Sequence, residues 1–255
     1  MPSLVLVRHG QASFGAENYD QLSDLGRRQA AATGVHLAKL GIKPTQVYSG
    51  QLERQKDSAL LAMKAMGLSP SIESLEAFNE YDSDGVFKAF LPAVLDRFPA
   101  IRDQLKPDDF SLLKDRKIFR TLFFPVLTQW IDEQVVEPGT VEAALQDEGK
   151  VLAPNGQPYE PWGRFRTRVL QGVDDVLAKL DEDDCAFVFT SGGTISVTMT
   201  YALATADVRF AEFNWRTANA SITRFMATDR GLELESYNQY GHLNAPEQQL
   251  KVTHL

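Results

Sequence analysis

Arg8, His9 and Arg54 are the residues whose types and neighbours could do chemistry together, and the chemistry they suit is that of a phosphoryl group. Arg8 and His9 follow the apolar run Leu4, Val5, Leu6, Val7; Ser49 and Gly50 follow Val47 and Tyr48, with Arg54 one turn into the next helical pattern. A third apolar run, residues 186–190, leads into Ser191, Gly192, Gly193 and Thr194, which open another helix. Each guanidinium offers a planar fork of N–H donors to phosphate oxygens, a match that lysine cannot make. Ser191 to Thr194 add backbone N–H groups at a helix start, where the helix dipole also favours an anion. Neighbouring cations disfavour an imidazolium, so His9 is expected to stay neutral and keep a lone pair. A neutral imidazole aimed at phosphorus is a nucleophile. Taken singly, an Arg-His-Gly tripeptide, a helix arginine and a Gly-Gly turn are ordinary; their joint placement carries the reading.

For these groups to meet, the elements that carry them must end on one side. Residues 4–7 read as a short buried strand. Ser23 caps a helix running to about Leu40, with Arg27 and Arg28 on its wet side, Val35 and Leu37 inside, and Gly41 just past its end. Val47 and Tyr48 form a second strand, followed by a helix through Leu52, Ala59, Leu60 and Met63. Strand–helix–strand–helix in this order predicts a parallel sheet with helices on both faces, and ligands bind beyond the carboxyl ends of such strands. Residues 85–160 are mostly helical in pattern, punctuated by prolines, with an apolar helix over 121–136. They read as a helical insertion over the sheet within one domain spanning 1–255, and residues 153–161 as its return loop. A helix over 162–180, a strand over 186–190 and a helix over 195–203 follow. Residues 221–226 and 232–237 flank Asp229, Arg230 and Gly231 as a hairpin.

Composition narrows the partners. The 255 residues carry 34 Asp and Glu against 26 Lys and Arg, a net charge of −8, with 44% hydrophobic residues. That is the balance of a soluble globular protein. The single Cys185 allows no internal disulfide and no cysteine-based zinc pattern. No Lys/Arg stripe exists to follow a nucleic-acid backbone. No run approaches the ~20 apolar residues of a bilayer span, and no signal-peptide pattern opens the chain. The expectation is a cytoplasmic protein whose partner is a small phosphorylated molecule, with neither nucleic acid nor membrane involved. Asp181 to Asp184 read as a solvated connection.

Several segments resemble one family. Leu6-Val7-Arg8-His9-Gly10-Gln11 is similar to the opening motif of the histidine phosphatase superfamily, also called phosphoglycerate mutase-like. Leu22-Ser23-Asp24-Leu25-Gly26-Arg27-Arg28-Gln29-Ala30 resembles its first-helix motif. Tyr48-Ser49-Gly50-Gln51-Leu52-Glu53-Arg54, followed by Ser58 and Ala59, resembles its second arginine motif. Asn79-Glu80-Tyr81-Asp82 falls where the family places its acid, and Asn219-Ala220-Ser221-Ile222-Thr223 resembles its late strand. The resemblance implies a three-layer αβα fold with a mostly parallel central sheet, and a two-step phosphoryl transfer without metal or cofactor. His9 would attack phosphorus, with Arg8 and Arg54 holding the phosphoryl oxygens, joined by Ser191 and Gly192 from the helix start read above. Glu80 would protonate the leaving alkoxide and then assist water, with Glu76 as the competing candidate. Gln11 and His242, the latter in a segment similar to a tail motif of some members, would support the rim from behind.

The departure is Ser191, which stands where the family carries a second histidine. A serine brings one neutral donor and no charge, and losing a hydrogen bond to a charged group costs roughly 1.5–3 kcal/mol, or about one to two orders of magnitude in rate. The expected activity is therefore a weak or specialised phosphatase. The Arg-His-Tyr-Gly segment of the glycerate mutases is absent, so a mutase-type phosphotransferase is an alternative. The insertion, with its aromatic residues and Lys114, Arg116, Lys117 and Arg120, is the expected lid and specificity element. A non-catalytic phospholigand binder would need neither nucleophile nor acid. A magnesium-dependent phosphatase built on Asp82 and Asp84 resembles haloacid dehalogenase-like enzymes, but no hydrophobic strand precedes those acids.

Overall fold

Along the first strand, successive side chains enter opposite cores: Leu4 and Leu6 one, Val5 and Val7 the other. A period of two requires this when both faces of a sheet are covered. The computed structural model describes residues 1–13, 20–104, 115–132, 150–153 and 155–254. In chain order its elements are β1 Ser3–Arg8, α1 Asp24–Lys39, β2 Gln46–Ser49, α2 Glu53–Ala65, β3 Ile72–Ser74, α3 Ser83–Leu95, α4 Pro99–Arg102 and α5 Arg116–Asp132. Then come β4 Val151–Leu152, β5 Pro158–Tyr159, α6 Trp162–Leu177, β6 Cys185–Thr190, α7 Gly192–Ala202, α8 Phe210–Arg216, β7 Ile222–Thr228 and β8 Gly231–Gln239.

The chain divides into two compact units: Met1–Glu80, Arg168–Ala206 and Phe213–Leu255 form the first, Tyr81–Thr167 and Asp207–Glu212 the second. The first is built on a six-stranded sheet in the order β3-β2-β6-β1-β7-β8. β3, β2, β6 and β1 run parallel, and the β7–β8 hairpin joins antiparallel at β1. One face packs Val173 and Val176 of α6 and Ile195 and Met199 of α7. The other packs Leu37 of α1 and Ala59, Ala62 and Met63 of α2. This is the three-layer αβα arrangement with a mostly parallel sheet that the sequence predicts.

α1 starts where Ser23 accepts the Gly26 N–H at 3.0 Å and ends before Gly41, whose φ of +70° suits glycine. Arg27 and Arg28 are exposed and Leu37 is buried, as the helix pattern requires, whereas Val35 is only half-buried. Three details depart from the sequence reading. β3 is too short to show a period. Residues 153–161 hold one strand of the β4–β5 pair, not only loop. α7 begins at Gly192, ahead of the apolar run that announces it.

In the second unit α3 and α5 carry buried Val86, Phe90, Val94, Leu122, Phe123, Val126 and Leu127. Tyr81, Trp130, Trp162, Phe165 and Phe210 form an aromatic cluster with centroid separations of 4.8 to 6.1 Å. Trp130 Nε1–H is satisfied by Glu160 O at 2.8 Å and Trp162 Nε1–H by Asp207 Oδ2 at 2.9 Å, as buried indoles require. Asp82 caps α3 by accepting the Gly85 N–H at 3.0 Å and pairs with Lys150 at 2.8 Å. Lys114, and residues 133–136 of the helix expected over 121–136, lie outside the described residues.

Candidate active site

Register brings three strand ends together. Arg8 of β1 lies beside Thr190 of β6, and Ser49 of β2 beside Phe189. The ladder continues one step past the strands: His9 N–H donates to Thr190 O at 2.8 Å and Gly50 N–H to Phe189 O at 3.0 Å. His9, Gly50 and Ser191 therefore leave the sheet at one edge, beyond the carboxyl ends of adjacent parallel strands. The loop after His9 seats on the start of α1. A Cβ on Gly10 would meet Gly26 O at 2.2 Å, so only glycine fits this approach.

His9 and Arg8 are each 5% exposed and Arg54 9%. His9 Nδ1 lies 2.7 Å from Gly10 O, and Arg54 Nε–H donates to His9 Nε2 at 3.2 Å. A carbonyl can only accept and the guanidinium can only donate, so the proton sits on Nδ1 and the lone pair on Nε2. Burial, then the Arg54 charge, then the Arg8 charge hold His9 well below the usual histidine range. The cations anticipated from the sequence are thus assisted by a larger effect, desolvation. Arg8 Nη1–H donates to Thr217 O.

Arg54 is itself anchored. Its Nη1 donates to Asp20 Oδ1 at 2.6 Å, and Asp20 Oδ2 accepts the Glu53 N–H, at the first turn of α2, at 2.8 Å. Asp20 is a site residue that the sequence reading missed; an acid shortly before Leu22 and Ser23 is the one signal that points to it.

The start of α7 is organised differently. Gly193 N–H donates to both oxygens of Glu80, at 3.0 and 3.2 Å. The anion at this helix start is the chain's own carboxylate. Ser191 is fully buried and its hydroxyl accepts from Gln55 Nε2 at 2.8 Å. Gln55, also fully buried, gives its other N–H to Phe78 O at 3.0 Å. Gly192 lies against Arg8, whose Cζ would be 3.5 Å from a Cβ placed there. Glu76, the competing acid, is exposed at the start of a short 3-10 turn, Glu76–Phe78.

Gln11 faces α1: its Oε1 accepts from Ser23 Oγ at 3.0 Å and its N–H donates to Gln29 Oε1 at 2.9 Å. His242 stacks on His36 at 4.9 Å, and its Nε2 lies 3.0 Å from Thr33 Oγ1. Its link to His9 is indirect. Thr33 Oγ1 lies 3.0 Å from Ala220 O, and Ala220 N–H reaches both Arg8 O and His9 O at 3.1 Å. Asp82 and Asp84 stand at the N-terminal turn of α3, not at a strand end. Among the described residues no group of three or more His, Cys, Asp or Glu is arranged to hold a metal ion, and no helix is long and apolar enough to cross a membrane.

The sequence matches the family described as histidine phosphatase superfamily (branch 1) over residues 4–110 and 128–240. A curated relative is the 2,3-bisphosphoglycerate-dependent phosphoglycerate mutase of Chelativorans sp. (strain BNC1), 32% identical over 88 residues, which cover 31% of this chain and 42% of the mutase. The chain thus spans about two fifths of the length of the curated relatives it matches. Mycobacterial glucosyl-3-phosphoglycerate phosphatase superposes with a TM-score of 0.57 at 19% identity, over 92% of this chain and 98% of that one. A phosphoserine phosphatase mutant from Entamoeba histolytica, solved with phosphoserine, superposes with a TM-score of 0.59 at 15% identity, over 95% and 100%. At these identities the likeness is one of fold.

Proposed function

The chain belongs to the histidine phosphatase superfamily (branch 1), and from that membership we propose that it is a metal-independent phosphomonoesterase working through a phosphohistidine on His9. The observation that carries this reading is the fixed tautomer of His9, with Nδ1 turned to Gly10 O and the Nε2 lone pair turned to Arg54.

A phosphomonoester enters with its oxygens drawn to Arg8 and Arg54. The long Arg54–Nε2 bond gives way, and the lone pair meets phosphorus. The N–P bond forms as the bond from phosphorus to the ester oxygen breaks. Charge spread over the phosphoryl oxygens is met by preorganised guanidinium donors. Arrival of the phosphoryl charge beside Glu80 favours its uptake of a proton from solvent, and the carboxyl so formed gives that proton to the departing alkoxide. In the second step Glu80, now a carboxylate, takes a proton from water as its oxygen attacks phosphorus. The N–P bond breaks, and His9 recovers its lone pair and inorganic phosphate leaves. Ser191 brings no charge, which favours a slow or specialised enzyme.

Rapid quench with a radiolabelled phosphomonoester should trap an acid-labile phosphoenzyme that His9→Ala abolishes, with turnover falling at least about 10³-fold, as removal of a nucleophile does. The lowered proton affinity of His9 also predicts that kcat/KM shows no loss as pH falls through 6.5. A His9→Ala enzyme that keeps its turnover would end the reading. The mutase relatives support a second one, transfer to an acceptor hydroxyl. Chasing the labelled phosphoenzyme with water alone or with 2- or 3-phosphoglycerate separates them.

A further inference from the structure

Glu80 closes a stretch of chain, 75–80, whose regular structure is the single 3-10 turn Glu76–Phe78. Its carbonyl groups are held by side chains from elsewhere in the first unit. Phe78 O accepts from Gln55 Nε2 at 3.0 Å and Thr190 Oγ1 at 2.7 Å. The widest grip is that of Arg168 on α6. Its Nη1 donates to Glu76 O at 3.1 Å, Ala77 O at 3.3 Å and Asn79 O at 3.0 Å, and its Nη2 to Glu80 O at 3.2 Å. One turn further along α6, a Cβ on Gly172 would stand 2.4 Å from Ala77 Cβ. The helix backbone is thus pressed against the same segment that the guanidinium grips.

We propose that Arg168 is a positioning residue for catalysis: by clamping the main chain at Glu76, Ala77, Asn79 and Glu80 it sets where the Glu80 carboxyl group stands. The proposal rests on the reading of Glu80 as proton donor. Glu80 is fixed at both ends, its main chain by Arg168 and its carboxylate by the Gly193 N–H. Only a planar guanidinium spreads several donors over neighbouring carbonyls; a lysine ammonium is a compact point charge. Proton donation depends on hydrogen-bond reach to the leaving oxygen, so a loosened segment costs donation before it costs binding.

The test is the dependence of kcat and KM on leaving group across substituted phenyl phosphates, from p-nitrophenyl, which departs without a proton, to phenyl. Arg168→Ala should steepen the slope of log kcat against leaving-group pKa. The loss at the phenyl end should exceed that at the nitrophenyl end by about tenfold, within the range that general acids contribute, while KM changes less than about twofold. Arg168→Lys should recover part of the slope, and it carries the comparison if thermal melting shows Arg168→Ala unfolded. Glu80→Gln should reproduce the steep slope, and adding Arg168→Ala to it should steepen it no further, the signature of groups acting as one unit. Equal losses across the series, or an additive double variant, would overturn the role of Arg168 and leave Glu80 standing. An unchanged slope in Glu80→Gln would overturn both.

Discussion

The two halves of the site differ in where their charge comes from. At the end of β1 and the start of α2, burial first, then the charges of Arg54 and Arg8, hold an imidazole neutral. At the start of α7, the helix N-terminus is met by Glu80, and the neighbouring side chain is an uncharged serine tied to Gln55. One half gathers positive charge around a lone pair; the other already holds a negative group at its helix start. On the proposed mechanism, the substrate brings a second anion towards Glu80 and favours its protonated form. On that mechanism the uncharged Ser191 bears on the proton chemistry as well as on the grip of the phosphoryl group.

The comparison breaks most directly through Arg54. Arg54→Ala should lower kcat/KM by about 10²–10³-fold, the usual effect of deleting a transition-state donor, while Ser191→Ala should cost less than about tenfold. Similar losses in the two variants would mean that the halves share the charge work. Acid gives a second lever, because His242 backs the cationic half alone through Thr33 and Ala220. Burial and the nearby His36 lower His242 to about 4. Above pH 6.5 it is neutral folded or unfolded; between 6.5 and about 4 the unfolded chain takes the proton first. His242 should therefore contribute about 3 kcal/mol to a drop in folding stability across that window, to which buried His9 adds, and His242→Gln should remove the His242 share, measured by urea unfolding at pH 7 and pH 4. The smallest effect sharpens the serine half. Ser191→His must displace Gln55 from a filled site and should lose about 1–3 kcal/mol in thermal melts. Adding Gln55→Ala should return part of that stability and raise turnover above Ser191→His alone. A Ser191→His enzyme as stable as the parent would show the site to be roomier than Ser191 and Gln55 suggest.

Much of this was legible in particular residues. The unbroken run Leu4 to Val7 implies a strand covered on both faces, and the arginines and histidine at strand ends imply a shared rim. Asp20 and Arg168 were not legible. Asp20 sits in a turn, where acids are common. Arg168 acts on carbonyl groups about 90 positions away in sequence, and main-chain acceptors exist at every residue, so no spacing betrays them. Glu80 was legible only through resemblance, since its place at the start of α7 depends on how a loop without periodicity is folded back.

β1 lies in the middle of the sheet, between β6 and β7. Both partners lie far downstream of it in sequence: Leu4 pairs with Ala186 on one side and Phe225 on the other. On the ribosome, the segment bearing His9 emerges before either partner and waits as an apolar strand with two open edges until β6 and β7 have followed. Long-range pairing of this kind is slow and leaves sticky surface exposed. Nascent chains halted before residue 222 should therefore depend on chaperones and lack the completed rim.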